Sequence, residues 1–260
     1  MSRRARSTSA VGLPVLRDAA AEASDMRAAH AAHLALAGGG SATDAVIAGF
    51  FAAAGALPSV LLGSAVAIVS NVGSGVRAFD GRPLQPGKGA ARPRGYLKGV
   101  HPPDAAFLAV PRAVPLLMLL HAYGGRTSFG VLSRSGVETA SGVDAKKRAK
   151  ILRRVGAAGA IALRAEGINE ALLTRGNGVA GGALTEEDLN NVLPADAEAI
   201  SLGGHGPETL ISVGPWSAEE SAADEHEWDV DVIAAADFRG NLAVISTHIS
   251  PKACCCRRLN

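Results

Sequence analysis

The sequence has few aromatic residues, little net charge and no cysteines spaced apart along the chain. Aromatic residues make up 4% of the 260 positions, and the formal net charge is only +2. Proteins that bind nucleic acid use basic surfaces and aromatic stacking platforms, so we expect no nucleic acid partner. The chain is 48% apolar and 19% charged, which is typical of a folded domain and excludes intrinsic disorder.

All three cysteines are consecutive, namely Cys254, Cys255 and Cys256. Cysteines that adjoin one another cannot link distant parts of a fold, so no disulfide framework is predicted. A metal site would need further ligands at suitable spacing, and His248 is the one nearby candidate. We therefore interpret residues 251–260 as a solvated tail and expect neither a metal nor a cofactor. The role of the cysteines stays open.

No secretory or membrane-spanning segment is predicted. Three arginines lie within the first six residues, but Arg17 and Asp18 interrupt the apolar stretch that a signal peptide would need. Residues 45–76 are uncharged and long enough to span a bilayer. Proline, glycine and serine residues divide them, which instead favours a buried helix, a turn and a buried strand. We expect no membrane contact and a cytoplasmic location.

Glycine and proline residues divide the chain into helical and extended segments. Helices are predicted over residues 16–36, from Ser41 or Thr43 to about residue 56, and over residues 110–123, 143–155, 160–173 and the segment after Thr185. Strands are predicted over residues 65–70, 76–79, 199–202, 209–213, 230–237 and 241–247. Residues 82–103 lack periodicity and are predicted to form a long loop. Sheets covered by helices follow from this order, in an α+β or layered α/β class.

Five short motifs follow one another along the chain. The strongest is Gly39-Gly40-Ser41-Ala42-Thr43-Asp44-Ala45, and the others are Ala78-Phe79-Asp80-Gly81-Arg82, residues 107–114, residues 120–124 and residues 181–189. In sequence and in order they resemble motifs of the γ-glutamyltransferase family of N-terminal nucleophile hydrolases. The resemblance extends over about residues 16–213. It implies an α+β fold, a layered αββα sandwich of the N-terminal nucleophile hydrolase type in shortened form, as one domain over residues 1–250.

The resemblance also implies a carboxylate-binding arginine and a threonine nucleophile. The arginine is Arg82, and a guanidinium at a strand end beside a loop rich in glycine and proline suits capture of a carboxylate by two hydrogen bonds. Family members cut their own chain before a threonine, whose hydroxyl then attacks the substrate. That threonine precedes by seven residues an aspartate that matches Asp237, and the position here is Val230.

Val230 has no hydroxyl or thiol, so the usual mechanism lacks its nucleophile. Ser246-Thr247-His248-Ile249-Ser250 resembles the family's nucleophile signature and makes Thr247 an alternative catalytic residue, although cleavage there would release only 14 residues. The glycine pair of the family's oxyanion hole has no counterpart in this sequence.

Two further segments carry candidate groups. His205 lies in a glycine-rich turn and is either a general base or an ordinary histidine of a hairpin. Residues 224–229 form an acidic cluster around His226. Such oxygen ligands suit divalent cations, but we interpret the segment as a solvated linker.

Two functions are compatible with these residues. The first is a γ-glutamyltransferase-like amidohydrolase or transferase that acts on an amide or related bond of a small carboxylate or amino-acid substrate, without the usual self-processing. The alternative is a catalytically inactive subunit that stabilises or completes a partner enzyme. Because an open sheet edge invites association, we expect a homo-oligomer or a heteromer with a related subunit.

Overall fold

A computed structural model describes residues 18–87, 102–192, 195–197, 199–201, 211–213 and 229–249. In these residues the strands are β1 (Ala20–Ala23), β2 (Ser64–Asn71), β3 (Gly75–Asp80), β4 (Ala195–Ala197), β5 (Ala199–Ser201), β6 (Ile211–Val213), β7 (Asp229–Ala236) and β8 (Leu242–Ile249). The helices are α1 (Met26–Ala37), α2 (Ala42–Ala56), α3 (Pro58–Leu62), α4 (Ala113–Gly124), α5 (Phe129–Leu132), α6 (Arg134–Gly142), α7 (Lys146–Ala158), α8 (Ile161–Ala165), α9 (Ile168–Gly176) and α10 (Glu186–Asn190).

Six strands form one sheet in the order β1-β7-β8-β2-β3-β4, and every neighbouring pair is antiparallel. Its centre consists of two hairpins, β7–β8 and β2–β3, which pair through β8 and β2. Both hairpins were predicted from the alternation of apolar runs and turns. Strands β5 and β6 pair separately as a small second sheet.

Helix α2 is the central helix of the fold. Its residues from Ala42 to Gly55 are all buried, and it packs against α1, α6, β7 and β8. A helix that is apolar on all sides belongs in a protein interior. This confirms the predicted buried helix, and the described part of the chain holds no helix that is both long and apolar enough to cross a membrane.

The two faces of the sheet differ in exposure. Successive strand residues point to opposite faces, so the register sorts them into two sets. The inner set is buried against the helices: Ala65, Ala67, Val69, Phe79, Ile233, Ala235, Ala243 and Ile245. The other set, which we call the outer face, is partly exposed over the central strands: Val66, Ile68, Val232, Ala234, Leu242, Val244 and Ser246. By the same register this face also includes Glu22 of β1 and the buried Ala78 and the carboxylate-bearing Asp80 of β3.

The predicted helix over residues 16–36 is wrong at its beginning. Residues Ala20–Ala23 form a strand, and α1 begins only at Met26. The Asp25 carboxylate accepts hydrogen bonds from the backbone N–H groups of Arg27 and Ala28, which caps the helix there. Alanine-rich sequence favours helix, but pairing with β7 supplies hydrogen bonds that override this preference.

Helix α6 was not predicted, because its sequence is polar. It packs on α2 through glycines, since a Cβ atom on Gly136 would collide with the carbonyl oxygen of Phe51. Because glycines rather than large apolar side chains form this contact, the sequence of α6 shows little apolar periodicity. Helix α4 begins at Ala113 rather than at residue 110, with Pro115 in its first turn as expected. The single helix predicted over residues 160–173 is divided into α8 and α9 at Gly167, whose φ is 74°.

Candidate functional site

One end of the six-stranded sheet brings together the segments that carry the predicted site residues. Because neighbouring strands are antiparallel, β3 and β8 end where β2 and β7 begin. In the register, His248 pairs with both Val230 and Ser64, while Arg82 follows the end of β3. Val230 and Arg82 therefore lie at the same end of the sheet, on strands separated by β8 and β2.

Arg82 is held by Asp80, two residues earlier. Its Nε donates to Asp80 Oδ1 over 3.0 Å, and its Nη2 donates to Oδ2 over 2.9 Å. The backbone N–H of Arg82 also donates to Oδ1, over 2.8 Å. Among the described residues, none accepts a hydrogen bond from Nη1 of Arg82, and 28% of the side chain is exposed. The guanidinium is thus oriented by Asp80 along one edge, while its other edge remains partly exposed.

The charges of this pair stabilise each other. Burial alone would raise the pKa of the Asp80 carboxyl, but the side-chain and backbone hydrogen bonds from Arg82 outweigh it, so the pKa lies below its usual value. The hydrogen bond to Asp80 raises the pKa of Arg82 in turn. Asp80 is therefore ionised and Arg82 charged at any physiological pH.

Arg112 is a site residue that the sequence analysis missed. Its Nε donates to the carbonyl oxygen of Arg82 over 2.8 Å, and its Nη2 donates to the carbonyl oxygen of Asp80 over 2.7 Å. Nη2 also lies 3.2 Å from Asp80 Oδ1. The available signal was the Val110-Pro111-Arg112 motif, because the family motif that it resembles has glycine at the third position.

Gly81 allows the turn between Asp80 and Arg82 to lie close to helix α4. A Cβ atom at this position would lie only 2.7 Å from Cβ of Leu116. The N–H of Gly81 donates to the carbonyl oxygen of Ala65 in β2 over 2.9 Å. Sheet and helix together therefore fix the position from which Arg82 projects.

Thr247 lies near the same end of the sheet but on the helix-facing side. It pairs with Ala65 in β2 and with Asp231 in β7, and it is 1% exposed. Its backbone is thus paired on both sides within β8. As a residue inside a central strand, Thr247 has no free amine to serve as a base in the present chain.

The remaining candidates lie outside the described residues. These are His205, the acidic segment up to residue 228, and Cys254, Cys255 and Cys256. In the ranges that the structure does describe, no group of three or more His, Cys, Asp or Glu side chains could hold a metal ion.

The two motif aspartates, Asp44 and Asp237, organise the opposite end of the sheet. The fully buried Asp44 carboxylate accepts hydrogen bonds from the N–H groups of Ser41, Arg126 and Thr127. It forms a capping box with Ser41, so Ser41 rather than Thr43 is the N-cap of α2. Its contacts to residues 126 and 127 also fix the loop after α4.

Asp237 shapes the turn between β7 and β8. Its carboxylate accepts hydrogen bonds from the N–H groups of Arg239 and Asn241, from the Asn241 side chain, and from the N–H of Ala42 at the start of α2. Burial would raise the pKa of Asp237, but these bonds, led by the one from the Asn241 side chain, lower it. The motif around Asp237 is therefore structural in this chain.

Comparison with known proteins identifies similar structures but no similar sequence. No protein-family model matches the chain, and no curated protein matches it significantly. The γ-glutamyltranspeptidase from Pseudomonas nitroreducens, solved with L-DON, is similar with a TM-score of 0.64 and 20% identity, over 78% of this chain and 73% of that one. The γ-glutamyltranspeptidase from Helicobacter pylori gives 0.63 and 19%, over 76% and 70%.

A cephalosporin acylase is similar over more of the chain. The enzyme from Bacillus halodurans has a TM-score of 0.69 and 15% identity, over 93% of this chain and 68% of that one. At these identities the likeness is one of fold, and it confirms the predicted resemblance at that level. The chain has the α+β fold of the γ-glutamyltranspeptidases and of this acylase, which are N-terminal nucleophile hydrolases.

Proposed function

We propose that this chain is a γ-glutamyltransferase-like protein that binds the carboxylate of a small carboxylate or amino-acid substrate at Arg82. It acts on an amide or related bond of that substrate as part of an oligomer, in the cytoplasm and without a cofactor. The observation that supports the proposal is the geometry of Arg82. Its guanidinium is held along one edge by Asp80, and its partly exposed Nη1 has no acceptor among the described residues, which suits capture of a carboxylate.

The proposal excludes self-processing at the usual position. Val230 carries neither hydroxyl nor thiol, so it cannot attack a carbonyl. Thr247 is buried within β8, and a cut before it would break the strand that pairs with both β2 and β7. An activated water or a group from a partner chain therefore supplies the nucleophile.

The intact mass of the purified protein tests the absence of self-processing. We expect one uncut chain of 26.3 kDa. Two fragments divided before Thr247 would instead make Thr247 the nucleophile and overturn this part of the proposal.

Substrate binding is tested with L-glutamine and with 4-aminobutanamide, which is glutamine without its carboxylate. The wild-type protein is expected to prefer glutamine, and Arg82→Gln is expected to lose roughly 10-fold or more of this preference, because a charge-assisted hydrogen bond contributes about 1.5–3 kcal/mol. Arg153→Gln, which changes an exposed arginine of α7, is the matched control. Equal binding of both ligands by the wild type would refute a carboxylate site, and ammonia release from glutamine measures turnover.

A second candidate function is the catalytically inactive subunit, and the outer face of the sheet favours it. Strands β5 and β6 contact β3, and β6 also contacts β2. Because helices cover the inner face, we infer that β5 and β6 lie on the outer side. The outer-face residue Ala78 is accordingly 1% exposed. Over β7 and β8 the outer face is partly exposed, with Val232 37%, Val244 38% and Leu242 46% exposed.

An apolar sheet face of this kind is normally covered. Strands β5 and β6 form part of a second layer on this face. We therefore assign the partly exposed area over β7 and β8 to a partner polypeptide whose β-strands continue that layer. Glutamine binding without ammonia release, together with a partner that co-purifies in a fixed ratio, would support this function. Turnover by the isolated chain would refute it.

A further inference from the structure

Arg112 is an arginine buried at the first residue before helix α4. Only 5% of it is exposed. A buried guanidinium needs acceptors for its hydrogen bonds, since desolvation of a charge is otherwise very unfavourable. Every acceptor that the described residues offer it belongs to the turn that carries Arg82: the carbonyl oxygens of Asp80 and Arg82, and the Asp80 carboxylate.

These bonds fix the backbone on both sides of Gly81. One guanidinium contacts the carbonyl oxygens of residues 80 and 82, so it sets the direction in which the chain leaves β3. The isolated bridge between Leu84 and Val110 then ties the next residues to the segment just before Arg112. The Arg82 side chain therefore projects from a turn whose backbone carbonyl groups are hydrogen-bonded to Arg112.

The charges of the three residues do not balance. Asp80 provides one carboxylate, while Arg82 and Arg112 provide two guanidinium groups, with 18%, 28% and 6% of the respective side chains exposed. Among the described residues, one positive charge of this partly buried cluster has no carboxylate of its own. Because Arg112 contacts the Asp80 carboxylate from the buried side, an anion that compensates this charge would approach from the solvent side, where Arg82 is exposed.

We propose that Arg112 is a positioning residue that orients Arg82 for a substrate carboxylate and makes the cluster one positive charge in excess. This inference rests on the proposed function, in which Arg82 binds that carboxylate. Arg112 itself does not contact the substrate. It acts through the Asp80–Arg82 turn and through the net charge of the cluster.

The test compares the buried Arg112 with the partly buried Arg148, since both arginines donate to backbone carbonyls. Arg148 donates from Nη1 to the carbonyl oxygens of Gly55 and Ala56, far along the chain from the Arg82 turn. Arg112→Gln and Arg148→Gln therefore remove comparable structural bonds, and only the first touches the site. Each variant is titrated with L-glutamine and 4-aminobutanamide, followed by ligand-observed NMR, and its thermal unfolding is recorded.

We expect Arg112→Gln to lose about 10-fold of the preference for glutamine, and Arg148→Gln to keep the wild-type preference while losing stability. Arg112→Lys keeps the charge but not the planar set of donors, so it should retain part of the preference. This variant also carries the test if Arg112→Gln does not fold.

Loss of stability with an unchanged glutamine preference in both Arg112 variants would overturn the inference and leave Arg112 a structural residue. If Arg82→Gln removes the preference in the same experiment, the proposed function stands although the inference has failed. If the wild type shows no preference, or if Arg82→Gln retains it, the proposed function itself fails.

Discussion

At the scale of single residues, Asp80 contacts both Arg82 and Arg112. Its carboxylate accepts three hydrogen bonds from Arg82 and forms an ion pair with the buried Arg112. An asparagine at this position would turn its amide NH₂ group toward N–H donors of the arginines, and this group cannot accept their hydrogen bonds. We expect Asp80→Asn to lower the free energy of unfolding by about 1–3 kcal/mol, measured by urea denaturation.

The matched control is Asp25→Asn. Asp25 also pairs with an arginine two residues away, but this Arg27 is about half exposed. Asparagine caps helices as well as aspartate does, so the loss should stay within about 0.5 kcal/mol. An equal loss in both variants would show that the Arg82 turn is no more than an ordinary surface ion pair.

Asp237 gives a pH-dependent prediction. Its pKa in the folded chain lies below the usual value, because hydrogen bonds from Asn241, Ala42 and Arg239 outweigh the effect of burial. A carboxyl with a lowered pKa in the folded state stabilises the fold above its unfolded pKa, and that contribution is lost as the pH falls through the folded pKa. Asp237→Asn should therefore cost about 1–3 kcal/mol near pH 7.

The same variant should differ less from the wild type at about pH 3 or below, where the wild type has lost part of this contribution. Urea denaturation of both proteins at the two pH values measures the gap. A gap that stays constant, or that widens as the pH falls, would contradict the hydrogen-bonded carboxylate described for Asp237.

The sequence predicted some site residues and missed another for a physical reason. Arg82 and Asp44 belong to local motifs, so their positions at a strand end and a helix start followed from the chain alone. Arg112 is buried because acceptors from residues 80 and 82 surround it, some 30 residues away along the chain. No local pattern records such a tertiary environment.

At the scale of helices and strands, periodicity predicted the elements that are strongly apolar. Helix α2 and the four central strands follow from it. Residues Ala20–Ala23 did not, because alanine favours a helix and only pairing with β7 makes this segment a strand. Helix α6 packs by glycine contact rather than by an apolar stripe, so its sequence resembles a loop.

Helix α2 depends on Asp44 for its position as well as its start. The carboxylate joins the first turn of α2 to the loop after α4 through the N–H groups of Arg126 and Thr127. Asp44→Asn should lower the free energy of unfolding by about 1–3 kcal/mol, since one amide nitrogen then faces N–H donors in a buried place.

The control for this change is Asp144→Asn. Asp144 is 85% exposed and has a φ of 55°, a backbone conformation that asparagine adopts readily. Its stability should remain within about 0.5 kcal/mol of the wild type in thermal or urea unfolding. A comparable loss in both proteins would remove the special role of the buried carboxylate.

At the scale of the whole molecule, the partly exposed outer face of the sheet is the surface assigned above to a partner polypeptide. Val244 lies at its centre, paired with Ile68 on one side and Ala234 on the other. Its 38% exposure leaves room for a longer side chain without disturbing the inner core. Val244→Lys should therefore fold but lose its partner, because burying an unpaired charge in an apolar interface is strongly unfavourable.

Val179→Lys is the control for this change. It alters a valine that is 98% exposed and should associate like the wild type. Each tagged chain is purified from its native cells together with any partner, and light scattering gives the mass of the particle. We expect a mass above 26.3 kDa for the wild type and for Val179→Lys. For Val244→Lys we expect the mass of the single chain. A wild-type protein that is itself a lone monomer at micromolar concentration, or a Val244→Lys protein that keeps its partner, would show that the outer face is not the interface.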